Sequence, residues 1–287
     1  MILGSFKSNL VSAPVPYAAL LPGSSGRAER LPTLLYFHGG GGDRSMLQTV
    51  RPLFDELWSS GQLPPMLVAM PSVPAKAFYM DYKDGSQKWE TLITGTFLEY
   101  IQRTYGGDTS PKSTFIMGLS MGGLGALRMS FKYPTRFRAV VAQEPGLEPT
   151  IEWIESYPRY RFWQPPDLYE EAFGKPVDPA FWQANNPAAI ARSNSAALKQ
   201  SGLAIYLEVG DEDIFLLNEG VEFLHRVLLD NGIRHEYRLV YGANHVGRTL
   251  PARTIEALKF LSRLMDSAQP DPAVERFRRQ IFGGMQK

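Results

Sequence analysis

The chain has 287 residues, 44% of them hydrophobic and 21% charged, a composition that supports a buried core rather than disorder. Thirty basic against twenty-nine acidic residues leave a formal charge of +1, without the basic surplus of a nucleic-acid binder. The absence of cysteine removes disulfides, thiolate nucleophiles and cysteine-based metal sites.

In chain order, the first thirty residues predict one or two antiparallel edge strands, interrupted by Pro14, Pro16 and Pro22. Lys7, Ser8 and Asn9 fall where a signal peptide needs unbroken apolar sequence. No apolar run approaches the about 18 residues of a membrane span, so the expectation is a cytoplasmic protein without a membrane partner. Short apolar runs follow at Leu34–Phe37, Met66–Met70, Thr114–Met117, Ala139–Ala142, Leu203–Val209 and Glu236–Tyr241. They are nearly continuous in apolar residues, as strands buried on both faces should be. Between them, Trp89, Leu92, Ile93, Phe97, Tyr100 and Ile101 recur at helical spacing, with Gly106 as a stop. Val221, Leu224, Val227 and Leu228 mark a helix ended near Asn231-Gly232, and another runs from about Pro251 to Met265. Strands alternating with helices predict an α/β fold, with a mostly parallel central sheet and helices on both faces. The length divides by roughly 150 residues into about two domains, but α/β folds of this size commonly form one. A single domain over 1–287 is the expectation.

Residues 146–200 break the alternation. They carry Trp153, Trp163 and Trp182 among many prolines, and predict a cap-like excursion with short helices at most. Its aromatics either line a binding site or pack on the body. Residues 267–287 read as a linker and a basic amphipathic tail helix, able to dock on the body or on a second copy in a homodimer.

The strongest chemical signal is Gly118-Leu119-Ser120-Met121-Gly122-Gly123, which follows one strand and opens a helix from Leu124 to Lys132. G-x-S-x-G in that context is a nucleophile elbow, a sharp turn that projects the serine hydroxyl above the sheet. The alternative is a plain glycine-rich turn. His38-Gly39-Gly40-Gly41-Gly42-Asp43 follows an earlier strand. Its glycines suit a loop whose backbone N–H would face an oxyanion together with that of Met121. Gly40 is the first choice for that N–H and Gly41 the second. A phosphate cradle is the rival, but no Gly-Lys-Ser/Thr follows. His38 reads as a loop-holding residue.

A serine nucleophile needs a base, and the base an orienting acid. Of the histidines at 38, 225, 235 and 245, only His245 follows the last strand, in Gly242-Ala243-Asn244-His245. Loops at the carboxyl ends of parallel strands are where such sites assemble. The acid candidates are Asp211, Glu212 and Asp213 after the preceding strand, and Glu144 after the strand before that. Asp213 is preferred among them, because it stands far enough past Gly210 to curl back beneath an imidazole. No two histidines share i, i+4 spacing, so no metal site is expected.

The stretch Gly118–Pro134, the loop from His38, Gly210-x-x-Asp213-x-Phe215 and the downstream His245 resemble the esterase group that includes esterase D (S-formylglutathione hydrolase), feruloyl esterases and antigen 85 mycolyltransferases. The resemblance covers most of residues 15–265. It implies an α/β-hydrolase fold with no cofactor and a triad of Ser120, Asp213 and His245. Met121 and Gly40 would supply the oxyanion N–H groups. Phe78-Tyr79-Met80-Asp81-Tyr82 resembles the group's aromatic–acid stretch. Gly41, Tyr79, Trp153, Trp163 and Trp182 are the candidate substrate-binding residues. The chain departs from the group at Ala243-Asn244-His245-Val246-Gly247-Arg248, where paired glycines and an aromatic segment are usual. The hormone-sensitive-lipase group shares His-Gly-Gly-Gly, but its elbow reads Gly-Asp-Ser-Ala-Gly.

The function this implies is a serine carboxylesterase acting on small or aryl esters through an acyl-enzyme. The alternatives are an acyltransferase or thioesterase using the same triad, and a catalytically silent binding module on the same fold.

Overall fold

The computed structural model describes residues 1–23, 30–154, 167–265 and 271–282. Its strands are β1 (Ile2–Phe6), β2 (Val15–Leu20), β3 (Thr33–Phe37), β4 (Leu67–Pro71), β5 (Thr114–Leu119), β6 (Ala139–Gln143), β7 (Ala204–Gly210) and β8 (Glu236–Val240). They make one sheet in the order β1-β2-β4-β3-β5-β6-β7-β8. β1 and β2 pair antiparallel, as do β2 and β4, and every later pairing is parallel. β3, β4, β5 and β6 are buried at every residue, whereas the edge strand β1 has none buried. Full burial is why the central strands read as unbroken apolar runs.

Contrary to the expectation from sequence that it interrupts the edge strands, Pro16 is part of a strand. It lies inside β2 opposite Ser5, just before pairing to β4 begins at Tyr17, so its missing N–H removes no bond on that side.

Alternation along β3 divides the core in two. Leu34 and Tyr36 pack with Leu47, Phe54 and Leu57 of α1 (Met46–Ser59), and with Leu258 and Leu261 of α10 (Leu250–Met265). Leu35 and Phe37 face the other layer, with Ile101 of α3 (Leu98–Tyr105), Leu127 of α4 (Met121–Lys132), and Val221 and Leu224 of α9 (Leu217–Asp230). A short helix, α2 (Trp89–Leu92), leads into α3 through a π turn at Ile93–Phe97, where Gly95 leaves helical geometry.

α1 escapes the sequence pattern. It buries only three residues and carries Pro52 in its middle, and a proline there argues against a helix. Among its described residues the excursion holds four short helices: α5 (Asp167–Phe173), α6 (Pro179–Asn185), α7 (Pro187–Ser193) and α8 (Ser195–Ser201). Prolines open α6 and α7, and the Asp178 and Asn186 side chains accept the first free N–H groups, so these prolines start helices rather than break them. The tail contains α11 (Pro272–Phe282), which buries no residue. No helix of the described residues is long and apolar enough to cross a membrane.

Candidate active site

Ser120 stands between β5 and α4 with φ 55° and ψ −120°, a strained conformation for a residue with a Cβ. Its N–H donates to Gln143 O at 2.9 Å, and its carbonyl accepts from Leu124 and Gly146 N–H at 3.0 and 3.1 Å. Those bonds hold the turn. A Cβ on Gly118 would overlap the backbone of Gly122, and one on Gly122 would overlap Phe37 O. Both glycines are needed for α4 to sit this close to the sheet. Met121 is the first residue of α4, so its N–H has no acceptor within the helix.

The glycine loop lies beside this turn. A Cβ on Gly39 would stand 3.3 Å from Ser120 Cβ, and nothing crowds Gly40. His38 is fully buried, accepts from Val73 N–H through Nε2 at 3.0 Å, and approaches Gly39 O through Nδ1 at 2.8 Å. Since Nε2 accepts, Nδ1 carries the proton and donates. Burial pushes the imidazole's pKa down, which suits a neutral ring that holds the loop.

Asp213 follows β7 and His245 follows β8. Asp213 Oδ2 lies 2.8 Å from His245 Nδ1, and its Oδ1 accepts from Phe215 N–H at 2.7 Å. Both residues are buried, at 2% and 6% exposed. The Phe215 ring meets the imidazole edge-on at 4.7 Å. Asn244 Oδ1 accepts from both Ile214 and His245 N–H, tying the two loops together. Asp211 is occupied elsewhere, accepting from Gly242 N–H at 2.7 Å. Burial works against ionising Asp213, but hydrogen bonds from His245 and Glu144 outweigh it and hold the carboxyl below the usual range.

Glu144 stands behind this pair rather than on the histidine. It hydrogen-bonds Asp213, accepts from Gly210 N–H, and pairs with Arg253. Arg253 Nη1 also meets Glu208 at 2.9 Å, and its Nη2 donates to Asn244 O at 2.7 Å. Two buried carboxyl groups, Glu144 and Glu208, thus share one guanidinium, and burial pushes both upward. Glu208, Arg253 and Asn244 escape sequence reading, because their only mark is a polar residue inside or beside an apolar element. Glu144, Asp213 and His245 bring donor atoms within 4.8 Å of one another. Those atoms are spent on one another, on Arg253 and on Gly210 N–H, and the set reads as a hydrogen-bond relay rather than a metal cradle.

A carboxyl raised by folding stays protonated where the unfolded chain would ionise, so stability declines as pH rises above about 4.5. Glu144→Gln removes one such group. The melting temperature of the variant relative to the parent is expected to climb from pH 5 to pH 8. A constant difference would show that Glu144 is ionised throughout.

Ser120 and His245 line one cavity of about 590 Å³, together with Gly39, Gly40, Met121 and Trp182, a volume typical of small-molecule sites. Three of the expected substrate-binding residues, Gly41, Tyr79 and Trp153, do not line the cavity. Gly41 is not on the cavity wall; it provides a left-handed turn at φ +74°. Tyr79 is fully buried away from the cavity, stacked on Phe37 at 4.4 Å with its hydroxyl donating to His38 O at 3.0 Å. Trp153 packs behind the wall against Trp182, ring centres 4.7 Å apart. Trp163 lies outside the described residues. Trp182→Phe should therefore change kcat/KM unequally across p-nitrophenyl esters of increasing acyl length, and Trp153→Phe should change them evenly. Equal effects from both would make Trp182 ordinary packing.

Ser120, Asp213 and His245 thus sit beyond the carboxyl ends of β5, β7 and β8 in the chain order of the α/β-hydrolase fold, and that is the fold of this chain. The chain belongs to the family described as "Putative esterase", whose model matches residues 8–248. A ferulic acid esterase structure is similar at a TM-score of 0.75 and 22% identity, covering 92% of this chain and 98% of that one. An S-formylglutathione hydrolase from Agrobacterium tumefaciens gives 0.72 and 18%, covering 92% and 95%. Among curated relatives, the diacylglycerol acyltransferase/mycolyltransferase Ag85A of Mycobacterium ulcerans is 28% identical over 155 residues, 47% of this chain and 41% of the relative. An acetyl esterase of Caldicellulosiruptor saccharolyticus is 31% identical over 71 residues, 25% of this chain and 27% of the relative. The chain spans between 27% and 41% of the length of the curated relatives it matches.

Proposed function

We propose that the protein is a serine carboxylesterase that hydrolyses small or aryl esters through an acyl-enzyme. The observation that carries this reading is the pairing of His245 Nδ1 with Asp213 at 2.8 Å while His245 and Ser120 line the same cavity. With Nδ1 donating to Asp213, Nε2 is the nitrogen free to take a proton. Ser120 Oγ attacks the acyl carbon and His245 removes its proton. Gly40 and Met121 N–H stabilise the oxyanion of the tetrahedral intermediate. His245 then protonates the leaving alcohol, and water, activated the same way, releases the acid. Asp213 holds the imidazole in the working tautomer.

Acyl transfer differs only in what attacks the acyl-enzyme, and the likeness to the mycolyltransferase over 47% of the chain favours it as the second reading. A panel of p-nitrophenyl and hydroxycinnamoyl esters, assayed with and without an acceptor alcohol, separates the possibilities. Hydrolysis predicts a nitrophenolate burst followed by steady release of free acid. A new ester formed at the expense of acid would identify a transferase. No turnover of any ester would leave a silent binding module.

A further inference from the structure

The cavity that opens on Ser120 holds a cation that the proposed chemistry does not use. Met121, Leu124 and Arg128 follow one face of α4 and all line that cavity. Arg128 is only 1% exposed, and burial lowers its pKa to about 10. Its Nε donates to Asn185 O at 2.8 Å and its Nη1 to Phe78 O at 2.7 Å. A guanidinium has five N–H donors, so these two bonds leave most of the fork unused. Nη2 makes no hydrogen bond among the described residues, and Arg128 is part of the cavity lining.

Among the described residues no carboxylate pairs with Arg128. The charge that influences it is Glu90, which is taken by Lys132 at 3.1 Å and Tyr133 at 3.0 Å. Glu148, also on the cavity wall, has a partner of its own. A buried guanidinium without a counter-charge is costly. Bonding two carbonyls does not by itself require that charge, whereas binding an anion does.

The direction of the substrate follows from the base. His245 must reach the leaving oxygen, so the leaving group lies on its side of the cavity, where Phe215 and Val246 also stand. The remaining length follows α4 from Met121 to Arg128, about 10 Å of helix, with the arginine leaning back toward the helix start. With the arginine's reach back taken off that span, what remains fits an extended acyl arm of about six carbons, roughly 6 Å at the reach per bond of an extended chain.

We infer that Arg128 binds the free carboxylate of a half-ester, a dicarboxylic acid esterified at one end, and presents its esterified end to Ser120. The inference rests on the esterase reading of Ser120. The planar fork matches a carboxylate through two parallel hydrogen bonds.

The test compares the mono-p-nitrophenyl ester of adipic acid with p-nitrophenyl hexanoate, which differ at the far end of the acyl arm. In the parent, kcat/KM should favour the half-ester by about 10- to 100-fold, and free adipate should compete where hexanoate at the same concentration does not. Arg128→Met should collapse that ratio to one or below, and Arg128→Lys should restore part of it. If neither variant folds, the adipate and hexanoate inhibition of the parent decides alone. A parent that prefers hexanoate or a hydroxycinnamoyl ester, or that adipate inhibits no better than hexanoate, overturns the inference. If the parent hydrolyses neither ester, the esterase reading fails. Adipate raising the melting temperature more than hexanoate would then still support the carboxylate site, and equal shifts would end it.

Discussion

Ser120→Ala is expected to lower kcat by about 10⁶ while leaving the fold unchanged. The side chain makes no capping bond at the start of α4, so only a hydroxyl facing the cavity is lost. Alanine inherits the same φ of 55°, so the backbone strain is equal in both proteins. The melting temperature should move by no more than a surface substitution moves it, about 0.5 kcal/mol in stability. Residual hydrolysis should equal what the oxyanion N–H groups and binding supply alone. Retention of more than a few per cent of activity would place the nucleophile elsewhere.

The second large effect concerns the acid. Asp213→Asn should lower kcat by about 10⁴ with substrate binding nearly intact, because an amide leaves the imidazole in the wrong tautomer. Glu144→Gln should cost far less. Glu144 touches Asp213 rather than His245, and its burial favours the protonated carboxyl, which glutamine imitates. The ranking is what steady-state kinetics checks. A Glu144→Gln enzyme weaker than Asp213→Asn would make Glu144 the working acid.

How much of this was legible in the sequence depends on whether a residue is declared by its neighbours in the chain or in space. β5 and the elbow are declared locally, by Thr114–Met117 and by the glycines around Ser120, because backbone approach there tolerates no side chain. His245 was legible from its place after the last strand, and Asp213 from the length of its loop. α1 was hidden by Pro52 and by a narrow apolar stripe. Tyr79 was expected on the substrate side because it stands in an aromatic run, but its hydroxyl is spent on His38 O. Gly41 was expected beside Gly40, yet its left-handed turn carries it off the cavity wall. Arg253 reaches Glu144 and Glu208 from a helix more than forty residues away in sequence, and nothing in its own segment announces the contact. Arg128, like Glu208, was marked only by a charge inside an apolar element, here the small and apolar stretch Gly122–Phe131 of α4.

The central claim is that Ser120 is the nucleophile of an acyl-transfer site, and covalent labelling tests it most directly. A fluorophosphonate reacts with an activated serine and stays attached, so peptide mass spectrometry reads the labelled position without any knowledge of the natural substrate. The account predicts one label per chain, on the peptide containing Ser120, lost in Ser120→Ala and slowed in Asp213→Asn. A label on another residue, or ester hydrolysis that persists in a protein that takes up no label, would contradict it.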